Sequence, residues 1–98
     1  MSRISYTSAT DREIMAGIGS RLASLREARR LTMVQAAERA GISRRTLYRA
    51  ERGENPTVLT LIRILRVYGR LEALESFIPE PEMSPLEYMS RVKRSSDA

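Results

Sequence analysis

The chain contains no cysteine, no histidine and no tryptophan, and phenylalanine occurs once, in 98 residues. The first two absences remove disulfides, thiolate and imidazole metal sites, and nucleophilic chemistry built on Cys or His. The shortage of large aromatics leaves a core to be built from aliphatic side chains. No apolar run is long enough to span a bilayer, and the N-terminus lacks the apolar stretch of a signal peptide. A soluble, cytoplasmic protein is the expectation. No two carboxylates have the spacing and apolar setting of a general acid/base pair, so an enzyme is not expected. No metal or other cofactor is expected either.

Basic charge is present in abundance, and in one form: sixteen of the seventeen basic residues are arginine. The net charge of +5 is unevenly spread. Residues 21–70 carry twelve arginines against Glu27, Glu38, Glu51 and Glu54, whereas residues 71–98 are mildly acidic. A concentrated positive patch attracts a polyanion, and the guanidinium fork fits guanine edges and phosphates. A solvated arginine-rich surface would show the same charge. The decision therefore rests on how the arginines are placed.

That placement centres on Thr32–Gly53, TMVQAAERAGISRRTLYRAERG, which reads as helix, tight turn, helix. Thr32 and Gln35 form a capping box, and Ser43 with Thr46 marks a second helix start. Ala36, Ala37 and Ala40 are small enough for two helices to cross closely. Gly41 suits the left-handed residue that ends the first helix, and Ile42 points inward at the turn. The second helix, about Arg44–Arg52, buries Leu47 and Ala50. Its other face carries Arg44, Arg45, Tyr48, Arg49 and Arg52, a basic, hydrogen-bonding surface of the kind that fits a DNA major groove.

The flanks predict further helices. Residues 1–10 have no helical period and form an arm, in which Ile4–Thr7 would suit a short strand equally well. Thr10-Asp11-Arg12-Glu13 is a capping box that opens a helix ending near Arg29 or Arg30. Ile14, Ile18, Leu22 and Leu25 form its buried stripe, and Gly17 and Gly19 invite a bend. Beyond the loop Glu54–Thr57, a helix over about Val58–Tyr68 offers Val58, Leu61, Ile62, Leu65 and Tyr68 to the core. A short helix follows over about Arg70–Phe77. Pro79 and Pro81 make an extended linker. Ser84-Pro85-Leu86-Glu87 then starts a last helix with Leu86, Met89 and Val92 on one face, fraying from Arg94 onward. The expected organisation is an N-terminal arm (1–10), a helical domain (11–78), and a linker with a C-terminal helix (79–98).

Over about Ile18–Tyr68 the sequence resembles the Cro/cI-type (Xre) helix-turn-helix family. The matching residues are Leu22, Leu25-Arg26, Leu31-Thr32, Ala37, Gly41-Ile42-Ser43, Leu47, Glu51, Gly53, Pro56 and Leu61. The resemblance implies an all-α fold, a five-helix lambda-repressor-like domain, here with a C-terminal helical extension. It implies a sequence-specific repressor that binds double-stranded DNA, at an inverted-repeat operator, as a homodimer. Base-contacting positions carried over from it are Ser43, Arg44, Arg45, Tyr48 and Arg49. Thr32 and Met33 at the opening of the helix before the turn, and Arg52 and Asn55 at and beyond the end of the reading helix, complete the expected DNA-binding face. Relatives commonly carry glutamine where this chain has Met33, so the phosphate contact of that glutamine must be lost or replaced. By the same resemblance Arg26 and Glu51 form a structural ion pair.

Leu71, Leu74, Phe77 and Ile78, with Leu86 and Met89, are the expected dimer interface, since so small a domain cannot bury them all. Antitoxins are among the small regulators of this kind. The alternative is therefore an interaction module that neutralises a toxin partner through its tail and autoregulates its operon.

Overall fold

The computed structural model describes residues 5–82 and 84–97. Six helices follow one another: α1 (Asp11–Ala28), α2 (Met33–Ala40), α3 (Arg44–Glu51), α4 (Val58–Val67), α5 (Ala73–Phe77) and α6 (Pro85–Asp97). The described residues contain no strand. Where Ile4–Thr7 suited a strand, Ser5–Ser8 forms a turn closed by Ser8 N–H donating to the Ser5 carbonyl at 3.2 Å. Ile4 lies outside the described residues. The Arg21 guanidinium stands 5.1 Å from the centre of the Tyr6 ring, which holds this turn beside α1.

Each of the first four helices begins at the side chain that its sequence offers. Thr10 and Thr32 complete reciprocal capping boxes with Glu13 and Gln35. Ser43 and Thr57 each accept the N–H three residues on, at 3.0 Å in both cases. The same four helices close on a left-handed residue: Arg30, Gly41, Gly53 and Gly69. Arg30 is the exception among three glycines, and its φ of 54° is held because Leu31 N–H still reaches the Arg26 carbonyl at 3.2 Å.

The core is Leu22, Leu31, Ala36, Ala37, Ala40, Leu47, Ala50, Ile64 and Tyr68. It is aliphatic apart from Tyr68, which is fully buried, while the single phenylalanine, Phe77, is exposed. Burial pushes the Tyr68 hydroxyl up to about 12, and this buried hydroxyl makes no hydrogen bond within the protein. The three alanines do what their size allows: α2 packs against both α3 and α4. On α4 the buried stripe is Leu61, Ile64, Leu65 and Tyr68, with Ile64 at its centre. Ile64 was not among the side chains expected there. Val58, which was, lies 59 % exposed in the first turn of α4, and Ile62, also expected, is half-buried and stands outside the core cluster.

A late start near Gly19, which the two glycines would allow, does not occur; α1 runs unbroken from Asp11 to Ala28. Gly19 is needed for a different reason. It is buried against the end of α3, where a β-carbon would lie 2.8 Å from both the Glu51 carbonyl carbon and the Gly53 amide nitrogen. Gly53 returns the contact: a β-carbon there would stand 2.6 Å from the Met15 carbonyl oxygen. The two glycines let the backbones of α1 and α3 touch directly.

The C-terminal part departs from this packing. α5 is shorter than the Arg70–Phe77 expected, a five-residue helix with no buried residue. α6 continues as backbone helix to Asp97 rather than ending near Arg94. It makes no substantial contact with α1–α4. The radius of gyration, 17.2 Å, exceeds the roughly 13 Å of a compact 100-residue domain accordingly.

Gly19→Ala places a methyl group into backbone that cannot rotate away. The expected loss is about 2–3 kcal/mol, read as a fall in Tm of roughly 10–20 °C in a calorimetric scan. An unchanged Tm would show that α1 and α3 can separate without cost.

Candidate nucleic-acid interface

The site is one helix and what aims it. On α3, Leu47 and Ala50 are 0 % and 1 % exposed, so the helix cannot roll about its axis without opening the core. Its start is held by Ser43, which accepts the Thr46 N–H at 3.0 Å and shares a 2.8 Å hydroxyl contact with the Thr46 side chain. Its end is held by the Arg26–Glu51 pair. Arg26 Nε and Nη2 donate to the two carboxylate oxygens of Glu51 at 2.8 and 3.2 Å, and Nη1 donates to the Leu31 carbonyl at 2.9 Å. The two side chains are only 15 % and 8 % exposed. The hydrogen bond to Glu51 raises the Arg26 pKa above its ordinary value against the opposing effect of burial, so Arg26 stays a cation.

With the inner face held, Arg44, Arg45, Tyr48, Arg49 and Arg52 all emerge on the solvent side. The five arise from the 3.6-residue period alone once Leu47 and Ala50 are inward. Tyr48 and Arg52, one turn apart, are coupled. Arg52 Nη1 donates to the Tyr48 hydroxyl at 3.0 Å, and its guanidinium carbon stands 5.5 Å from the centre of the Tyr48 ring. That hydrogen bond raises the Arg52 pKa, so Arg52 remains a cation.

Two shallow depressions flank the helix. One is lined by Met33, Ser43, Arg44, Arg45 and Tyr48, and brings the start of α2, with exposed Thr32 before it, beside the start of α3. The other runs between α3 and the start of α4 and is lined by Arg45, Thr46, Arg49, Glu54, Asn55, Pro56, Thr57 and Thr60, among others. Arg45 belongs to both. Asn55 is exposed and holds a left-handed conformation with φ of 45°. The starts of α2, α3 and α4 thus stand around one basic ridge, each with the partial positive charge of a helix N-terminus.

Thr32, Met33, Ser43, Arg44, Arg45, Tyr48, Arg49, Arg52 and Asn55 are therefore brought to one side of the molecule. Met33 differs from the others in being half-buried and packed on the core. Thr57 and Thr60 share the second depression and did not stand out in the sequence, where Thr57 reads only as a helix cap. Glu54 reads in the sequence as an ordinary surface acid. It is exposed, but its carboxylate lies 3.9 Å from both Arg49 and Arg52, which tempers the charge at that end of the ridge.

A sequence model of the Helix-turn-helix family matches residues 22–74, more than half of the chain. The chain belongs to the Cro/cI-type (Xre) helix-turn-helix family. A DNA-binding transcriptional regulator follows from that membership, with double-stranded DNA as its partner. Comparison with curated proteins gives no match. Membership of a regulatory family suggests a protein that is not an enzyme. Among the described residues, no group of acidic side chains is placed to hold a metal ion, and no helix is long and apolar enough to cross a membrane. The matched region includes α1 from Leu22 through the start of α5, and leaves α6 outside.

Glu51→Gln leaves the Arg26 guanidinium without its counter-charge in a largely dry site. Urea denaturation should show a loss of about 3–5 kcal/mol, whereas the double change Arg26→Met with Glu51→Leu should lose much less. Equal losses for the single and double variants would assign the effect to packing rather than charge.

Proposed function

We propose that this regulator is a homodimeric, sequence-specific repressor that acts by occupying an inverted-repeat operator. The observation that carries the reading is the fixed α3. Its inner face is sealed at Leu47 and Ala50, and its arginines all face outward. A rigid helix of this kind can place Arg44, Arg45 and Arg49 at base edges with little loss of conformational entropy on binding. The guanidinium fork prefers guanine O6 and N7, so the half-sites should contain G. Thr32, Ser43, Tyr48, Arg52 and Asn55 serve backbone positioning around that reading head. Met33 offers no hydrogen bond to a phosphate. Arg45, which borders the same depression, and the first amides of α2 supply that contact instead. The setting is the cytoplasm, where the operator is.

Dimerisation is supported by what one chain leaves uncovered. Leu71 and Leu74 are half-buried, and Phe77 and Ile78 are 58 % and 74 % exposed, side by side at the end of the domain. Two copies related by a two-fold axis through this patch would cover it and set the two α3 helices on successive major-groove faces, roughly 34 Å apart.

The antitoxin-like reading is supported by α6, which lies outside the matched residues and leaves Leu86, Met89 and Val92 uncovered. Co-purification of a neighbouring gene's product on the tail would favour it.

Selection from a random DNA pool should yield one inverted repeat with G in each half. Arg45→Ala should cost about 1–3 kcal/mol on the selected site and much less on random DNA. Equal losses on both would reduce Arg45 to a phosphate contact.

Leu74→Glu should sediment as a monomer and weaken operator binding. A variant that remains a tightly binding dimer would remove α5 from the seam.

A further inference from the structure

The geometry points to Tyr48 as a phosphate-binding hydroxyl set by Arg52: Tyr48 supplies a neutral side-chain contact to the DNA backbone where Met33 offers none, and Arg52 acts through it. This rests on the DNA-binding reading above. It depends neither on the sequence of the operator nor on dimerisation.

The depression between α2 and α3 is lined by Met33, Ser43, Arg44, Arg45 and Tyr48. Its side chains differ as hydrogen-bond donors. Met33 has no donor. The Ser43 hydroxyl is engaged twice by Thr46, accepting its N–H at 3.0 Å and meeting its hydroxyl at 2.8 Å. Arg44 and Arg45 are exposed cations on long, rotatable stems. Tyr48 is the remaining one. It is exposed, has only two rotatable bonds, and carries a hydroxyl that is already oriented.

Arg52 orients it. Its Nη1 lies 3.0 Å from the Tyr48 hydroxyl oxygen. A guanidinium carries donors only, so the oxygen accepts and the phenolic proton remains free to donate. That proton stays close to the ring plane, on one side of the oxygen or the other. With Arg52 on one side, it turns to the other. Tyr48 borders the depression and Arg52 does not. A hydroxyl that accepts from a cation also donates more strongly in turn. Arg52 itself is occupied on two edges. Its guanidinium carbon stands 5.5 Å from the centre of the Tyr48 ring, and its Nε is 3.9 Å from the Glu54 carboxylate. A guanidinium held in this way supports the tyrosine and is not an independent DNA contact.

The acceptor that suits the free proton is an anion, because Arg44 and Arg45 both border the depression. The nearby starts of α2 and α3 add partial positive charge. On duplex DNA that anion is a phosphate oxygen, and a phosphate contact fixes the register of the protein without reading sequence. Tyr48 thus stands beside Arg45 and the first amides of α2 as a third donor at this point, and the one that carries no charge.

Tyr48→Phe tests this cleanly, since it removes the hydroxyl and keeps the ring beside Arg52. Binding is followed by fluorescence anisotropy on the selected operator and on a scrambled duplex of equal length, at several potassium chloride concentrations. The variant should bind both duplexes roughly tenfold more weakly. Its plot of log affinity against log salt should keep the native slope, whereas loss of a cation–phosphate contact would take about 0.9 from it. Arg52→Ala should weaken the native chain but cost less than about twofold in the Tyr48→Phe background, as for two groups that act as one. Thermal melts should stay within a few degrees of the native chain, both side chains being exposed. A loss confined to the operator would make Tyr48 a base reader, and no loss on either duplex would leave its hydroxyl to solvent; each overturns the proposal. Equal costs of Arg52→Ala in the two backgrounds would make Arg52 a DNA contact of its own and overturn the coupling. If selection yields no inverted repeat, the operator reading fails, and the scrambled duplex still decides the role of Tyr48.

Discussion

The aim of α3 depends first on its junction with α1. Two contacts make it. Arg26 holds Glu51 through two hydrogen bonds at 2.8 and 3.2 Å, and Gly19 and Gly53 let the two backbones meet without side chains between them. A salt bridge of this burial contributes little net stability, because desolvation of both charges offsets most of the attraction. It contributes direction instead. The bidentate fork accepts one geometry, and a third bond from Arg26 to the Leu31 carbonyl ties the turn before α2 to the same point. The start of α2 and the end of α3 are thereby referred to one guanidinium.

The outward arginines depend on that junction more than on one another. Arg44, Arg45, Arg49 and Arg52 repel, and the local relief is small: Glu54 lies 3.9 Å from two of them in an exposed setting. Their arrangement persists because Leu47 and Ala50 are sealed inward and Ser43 fixes where the helix begins. The basic face is a cost borne by the core, and a polyanion relieves it. This links the packing of α3 to its function: the helix is stable because of its buried side and useful because of the strained one.

The C-terminal third follows another logic. Among the described residues the buried core lies between Leu22 and Tyr68, whereas the segment from α5 through α6 carries Phe77, Ile78, Leu86, Tyr88, Met89 and Val92 largely uncovered. Apolar groups on this scale do not serve a single chain in water. The first part of the molecule closes its own core, and the second part leaves its apolar side chains exposed.

How much of this the sequence determined can be traced residue by residue. Helix starts were legible at Thr10, Thr32, Ser43 and Thr57, because a cap is a local interaction between side chain and backbone within three residues. The stop at Gly41 and the inward pair Leu47 and Ala50 were legible for the same reason: a turn and a helical period are short-range. The Arg26–Glu51 pair, 25 residues apart, came through family resemblance and not through any local pattern. What tertiary packing alone decided is of longer range. Gly19 weakens a helix when considered by itself, and only the approach of α3 makes it the residue that fits. Val58 and Ile64 are equally apolar, and only the position of α2 against α4 selects Ile64 for the core. The coupling of Tyr48 to Arg52, and the place of Glu54 near Arg49 and Arg52, lie within five residues and follow from helical spacing rather than from tertiary packing. Sequence sets the elements and their faces because those are governed by hydrogen bonds a few residues apart. The partner of each face is set by shape and volume across the whole domain, which no local pattern encodes.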